Sequence, residues 1–231
     1  MKKQLASDTT RAVAAVFRRL DYVKLGPIYC DEGGDAFWKA KRGPCRKLGS
    51  KLAEVLLGRL NPKGRSLYVG AGVAEIPLLA METMDLGREV TACNLRAKEV
   101  VLLNRACAGL PFHIAAQDGG KAAGRFDHLW MVSVLNDPER FPELAALSYG
   151  RANPATFDAM RFARERKIVQ RLTDACLRKL KRPGLVTTSV EEIPWIEDWS
   201  RRHKVPCSVE EEDYPTALVG DPVCLIRVGT R

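Results

Sequence analysis

From residue 66 onward the chain alternates short apolar runs with longer segments of helical period, and this alternation narrows the available folds more than any other feature. Such a pattern marks βαβ units, in which crossover helices cover a mostly parallel sheet. It predicts strands near 66–69, 89–93, 112–115, 128–134, 185–190, 205–209 and 223–228. Between them the spacing predicts helices from Ala74 to about Asp85, from Arg96 to Ala108 and from about Thr156 to Lys181. The last of these carries Phe162, Val169, Leu172, Cys176 and Leu180 on its buried face. The final two strands are separated only by Glu210–Asp221, a stretch with Pro215 and Gly220 and no helical period. Parallel neighbours need a crossover, so this pair is expected to be antiparallel. The expected fold is α/β: a doubly wound, mostly parallel seven-stranded sheet with an antiparallel final strand.

A helical extension precedes it. Val13, Val16, Phe17 and Leu20 fall at helical spacing, with Ser7, Asp8 or Thr9 available as caps. Gly26-Pro27 and Asp31-Glu32-Gly33-Gly34 read as a loop, followed by the basic stretch Phe37 to Pro44. A further helix presents Leu48, Leu52, Val55, Leu56 and Leu60 and stops at Asn61-Pro62-Lys63-Gly64. The expected division is 1–45 as an N-terminal extension or lid and 46–231 as the sheet domain.

Lys and Arg number 37 against 28 Asp and Glu, a net charge of +9, which points to an anionic partner. The excess has an address: residues 1–65 hold fifteen basic and six acidic residues, whereas residues 66–150 hold seven and ten. A second basic run lies between Arg161 and Arg182, on a helix well separated in sequence from the first. That separation makes an anionic small molecule as plausible a partner as RNA. The seven cysteines form no CxxC pair, and an odd count does not close a disulfide framework, so reduced thiols are expected. No run approaches the roughly 20 apolar residues of a membrane span. A cytoplasmic protein without membrane partners is the expectation.

The chemistry-bearing signal is Leu67-Tyr68-Val69-Gly70-Ala71-Gly72-Val73-Ala74, a strand running into a Gly-x-Gly-x-Ala turn that opens a helix. Glycines allow the tight turn and the close approach of a nucleotide-containing ligand to backbone. Asn94, 24 residues beyond Gly70, ends the second predicted strand where a ribose contact is usual, and Leu95 follows it. Gln117-Asp118-Gly119-Gly120 ends the third at the same edge of the sheet.

Together these segments, with Phe126 to Val132 as a fourth-strand motif, resemble the core of class I S-adenosylmethionine-dependent methyltransferases. The resemblance covers roughly residues 46–231. It implies S-adenosylmethionine as cofactor, bound by Tyr68, Gly70, Ala71, Gly72, Asn94, Leu95, Gln117, Asp118, Gly119 and Ser133. The chain departs from the family pattern at three places: Tyr68 and Asn94 stand where acids are usual, and Ala74 replaces the third glycine. The N-terminal region of family members often forms a substrate lid, which makes Tyr29, Phe37 and Trp38 substrate-binding candidates. Ser133 to Pro138 faintly resembles the Asn/Asp-Pro-Pro-aromatic motif of amino-group methyltransferases, so Asn136 and Asp137 are the catalytic candidates; Asp137-Pro138 equally suits a helix N-cap.

Sites in open α/β sheets lie at the carboxyl ends of strands, which excludes His128 at a strand start and disfavours His113. Glu191 and Glu192 follow the fifth strand at the right edge but read as a solvated loop before a helix bearing Trp195 and Trp199. The three histidines form no metal-binding pair, and no metal is expected. The implied reaction is methyl transfer to a small molecule, with RNA or protein as alternative acceptors. Aminocarboxypropyl transfer, a ligand-binding relative without activity, and a nicotinamide-dependent oxidoreductase are the competing functions.

Overall fold

The computed structural model describes residues 3–30, 34–216 and 220–230. Asp31, Glu32 and Gly33 of the expected loop lie outside the described residues. The seven strands form one sheet in the order β3-β2-β1-β4-β5-β7-β6. They are β1 (Arg65–Val69), β2 (Glu89–Asn94), β3 (Ile114–Ala116), β4 (Phe126–Met131), β5 (Leu180–Ser189), β6 (Cys207–Val209) and β7 (Val223–Val228). The chain divides into two compact units, Met1–Gly119 with Thr216–Gly220, and Gly120–Pro215 with Asp221–Arg231.

In the first unit β1, β2 and β3 are parallel, with Tyr68 opposite Ala92 and Asn94 opposite Ala116. Helix α1 (Ser7–Arg19) buries Val13, Val16 and Phe17, the stripe expected from their spacing. None of the expected residues caps it through its side chain. Instead Asp85, at the end of a π turn over Met81–Asp85, accepts from the Ala6 N–H and the Thr9 hydroxyl. A distant carboxylate supplies what a local cap would have supplied.

Two helices run where proline and glycine suggested breaks. Helix α2 (Tyr22–Tyr29) contains Gly26-Pro27, and α3 (Gly34–Leu57) contains Gly43-Pro44 and passes uninterrupted through residue 45. Each proline removes one backbone donor. What offsets the loss in α2 is tertiary: a methyl built on Gly26 would lie 2.8 Å from Gly34 backbone, so α2 and α3 cross backbone to backbone. Asp21 caps α2 by accepting from the Lys24 N–H at 3.1 Å. Lower on α3, Gly49 packs on the Ala74 carbonyl, where a methyl would lie at 2.4 Å, which seats this helix against the turn after β1. Helices α4 (Ile76–Ala80) and α5 (Ala97–Ala106) complete the unit, α5 ending two residues short of the expected span.

In the second unit β4 and β5 are parallel, β5 and β7 are antiparallel, and β7 pairs antiparallel with β6 at the edge. The expected antiparallel final strand is therefore present, and it lies inside the sheet. Helix α7 (Ala159–Leu177) is shorter at both ends than its periodicity suggested, because Lys179 to Lys181 turn into β5. Helix α6 (Pro142–Ser148), too short for a clear period, was not expected. Helix α8 (Ile193–His203) buries Trp199, with Trp195 only half-buried. His128 is buried within β4, its Nε2 3.0 Å from the Thr187 hydroxyl.

Candidate functional site

In the first unit the carboxyl ends of β1, β2 and β3 gather most of the expected ligand-binding residues. After Val69 the backbone turns through Gly70 at φ +79°, a conformation that favours glycine. The N–H groups of Gly70 and Ala71 both donate to the Cys93 carbonyl, at 2.8 and 2.9 Å, tying the turn to β2. Gly72 N–H donates to the Glu75 carboxylate at 2.8 Å. Gly119 lies against Val69, where a methyl would come within 2.8 Å, so the turn after β3 touches the end of β1.

Asn94 is engaged internally. Its Nδ2 donates to the Ala71 carbonyl at 2.9 Å and to Glu99 at 3.1 Å, and its Oδ1 accepts from the Arg96 N–H at 2.8 Å. The acid missing from the strand end is supplied one step away, by Glu99 in the first turn of α5. Its side chain is 1% exposed and stands near the favourable positive end of the helix. Tyr29, at the end of α2, donates its hydroxyl to Glu99. Burial, and then the charge of Glu99, raise the Tyr29 pKa well above its ordinary value, so the phenol stays protonated and donates. A methyl built on Gly72 would lie 2.9 Å from the Tyr29 hydroxyl oxygen, 3.1 Å from Glu99 Oε1 and 3.5 Å from Glu75 Oε2. A phenol and two carboxylates thus converge over the one residue of the turn that leaves room for them.

Tyr68, in contrast, turns away from this edge. Its hydroxyl donates to Glu82 at 2.7 Å, within a buried network in which Glu82 also accepts from Ser66 and from Arg88 at 2.8 Å. Leu95 is 49% exposed beside Asn94, Gln117 donates to the Cys93 sulfur at 3.3 Å, and Asp118 is half-buried. The lid candidates cluster with Tyr29. Trp38 meets it edge-on at 4.8 Å and Phe37 stacks on it at 6.1 Å. Trp38 is buried, and its indole N–H has no hydrogen-bond partner among the described residues.

The second unit holds Ser133, Asn136 and Asp137 in the turn after β4. Ser133 has φ +54°, held by its N–H donating to the Ser189 hydroxyl at 2.7 Å. Glu192 sits beneath the turn and accepts from the N–H groups of Val134 at 2.6 Å and Leu135 at 2.5 Å, and from the Thr188 hydroxyl at 2.7 Å. The solvated loop expected at Glu192 is in fact a buried anchor. Burial pushes its pKa up to about 7 against the opposing effect of these donors. Asn136 is fully buried, donates to the Tyr149 hydroxyl at 2.9 Å and to Asp221 at 3.1 Å, and leaves its Oδ1 without a partner among the described residues. Asp137 caps a turn rather than a helix: its carboxylate accepts from the Glu139 N–H, and α6 begins only at Pro142.

Sequence reasoning missed Glu75 and Glu99. Glu99 carried one signal, an acid in the first turn of a helix directly after the strand-end Asn. Among the described residues no three His, Cys, Asp or Glu side chains are placed to share a metal, and no helix is long and apolar enough to cross a membrane. Among the described residues no disulfide joins any of the seven cysteines, and burial pushes Cys45, Cys107 and Cys224 up to about 12.

The strand order, the internal antiparallel β7 and the glycine-rich turn after β1 match a Rossmann-like methyltransferase fold. Among solved structures, the chain is similar to magnesium protoporphyrin IX methyltransferase from Synechocystis PCC 6803 with bound SAM. The identity is 13%, the alignment covers 96% of this chain and 97% of that one, and the TM-score is 0.54. An alignment of that extent takes in most of the N-terminal helices as well as the sheet. It is also similar to P. horikoshii TYW2 in complex with MeSAdo, at 11% identity, over 81% of this chain and 64% of that one, with a TM-score of 0.51. No family model matches the sequence, and no curated protein matches it.

Proposed function

We propose that the chain binds S-adenosylmethionine at the glycine-rich turn of its first unit and directs methyl transfer to an acceptor, a small molecule being favoured over RNA or protein. The observation that carries this is the convergence of Glu75 and Glu99 over Gly72, at the carboxyl edge of β1, β2 and β3. The residues present fit the cofactor's chemistry. Its ammonium and ribose hydroxyls need acceptors, and carboxylates are acceptors only. Leu95, exposed after β2, would offer the adenine an apolar surface, and Asp118, in the turn after β3, an acceptor. When bound, the cofactor supplies a methyl group activated on a sulfonium, open to in-line displacement.

The chain's contribution is then to hold and orient, and alignment of this kind removes about 7–11 kcal/mol of barrier. We assign residues 1–45 the role of a lid, supported by the Tyr29, Phe37 and Trp38 cluster against the turn. A small acceptor is supported by the neighbour matched over 97% of its own length, which is a methyltransferase of magnesium protoporphyrin IX. The exposed cations Lys39, Arg42, Arg46 and Lys47 on α3 favour an anionic one. Cysteines joined by no disulfide among the described residues fit a reducing cytoplasm. Calorimetric titration with S-adenosylmethionine and S-adenosylhomocysteine tests the proposal: saturable binding of both is expected, and no heat at millimolar ligand would overturn it.

A further inference from the structure

The buried acids of the chain differ in who donates to them. Glu165 takes the Leu144 N–H and Arg161, at 2.9 and 3.0 Å. Glu192 takes backbone amides and a threonine, and Glu82 takes Arg88, Ser66 and Tyr68. Glu99 alone among these four stands over the glycine-rich turn, and the hydroxyl it accepts comes from a helix outside the sheet's own βαβ units. Gly72 is buried within this turn, with no side chain on the face where a Cβ would stand. The atoms that fill that face are the Tyr29 hydroxyl oxygen at 2.9 Å and Glu99 Oε1 at 3.1 Å from a built methyl.

Resting on the cofactor reading above, we infer that Glu99 is the acid that receives the ligand's hydroxyl or ammonium donor, and that the Tyr29 hydroxyl holds that place until the ligand displaces it. The exchange conserves the chemistry at Glu99: one O–H donor leaves and an O–H or N–H donor arrives, so the buried carboxylate is never left bare. Asn94 steadies Glu99 throughout by donating its Nδ2 at 3.1 Å, which makes it a positioning residue. Glu75, held by the Gly72 N–H at 2.8 Å, supplies the second negative charge beside the exchange point.

Opposite signs are therefore expected from the two ends of one hydrogen bond. Tyr29→Phe removes the competitor and should tighten S-adenosylhomocysteine binding, by about tenfold if the bond has the usual strength of one to a charged group. Glu99→Gln removes the acceptor charge and should weaken it by about tenfold or more. Calorimetric titration of wild type and both variants with S-adenosylhomocysteine reads this without any acceptor. Weaker or unchanged binding by Tyr29→Phe, with wild type binding normally, overturns this inference and leaves the cofactor reading standing. Absence of binding by wild type overturns the cofactor reading and this inference with it. Should Glu99→Gln fail to fold, the sign for Tyr29→Phe decides alone.

Discussion

Glu99 in the first unit and Glu192 in the second are both buried carboxylates against a turn that follows a parallel strand, and they are held in opposite ways. Glu192 is gripped by main chain, the N–H groups of Val134 and Leu135, which cannot leave without refolding the turn. Glu99 accepts from the side chains of Tyr29 and Asn94, which can change partners by rotation, and Arg96 lies 4.0 Å from it. A carboxylate satisfied by backbone fixes a conformation, whereas one satisfied by side chains can change its partner. Glu82, paired with Arg88 with both side chains fully buried, is a third case in which the partner is itself a buried charge.

Removing each acid sharpens the contrast. Glu82→Ala strands the Arg88 guanidinium and should cost about 3–5 kcal/mol in chemical denaturation, the largest effect of the set. Glu192→Gln should show instead in the pH dependence. A carboxyl at about 7 when folded and near 4.5 when unfolded holds its proton more tightly in the folded state. Its contribution to stability is therefore present below about pH 4.5, is lost as pH rises to about 7, and is level above that. Relative to wild type, the variant should gain up to about 3 kcal/mol across that window; parallel curves would show that Glu192 titrates normally. Asn94→Ala, which takes a donor from Glu99 and from the Ala71 carbonyl, should cost about 1–3 kcal/mol.

The smallest effect is expected where charge is greatest. Lys39, Lys41 and Arg42 lie on α3, Lys39 and Arg42 exposed and the latter over the Tyr22 ring at 5.8 Å. Replacing all three with Gln should change stability by no more than about 1 kcal/mol and leave S-adenosylhomocysteine affinity within twofold of wild type, at the scale of ordinary surface substitutions. A large loss of affinity would place these cations at the bound cofactor rather than at the acceptor.

All seven strands were legible in the sequence because apolar runs bounded by turn residues report burial on both sheet faces. The antiparallel final pair was legible from the length of its connection. Helix α2 was not, because its stability comes from Gly26 meeting Gly34, a contact between two residues that each read locally as breakers. The turns of the candidate site were legible where backbone geometry dictates residue type, at Gly70, Gly72 and Gly119. It was illegible at Glu75 and Glu99, since an acid in a first helical turn looks the same whether it faces water or a buried phenol. The surroundings of Tyr68 were illegible for a related reason: alternation along β1 puts it with Ser66 facing Glu82, a partner 14 residues away that the strand motif cannot report.

The order β5-β7-β6 sets the order of synthesis against the order of pairing. Strand β6 leaves the ribosome before the strand that must lie between it and β5. Until Val223–Val228 arrives, β5 carries an open hydrogen-bonding edge and the three-residue β6 has nothing to join. Nascent chains ending ahead of Val223 would thus display an unpaired strand edge, the kind of surface that chaperones bind and that aggregates grow from.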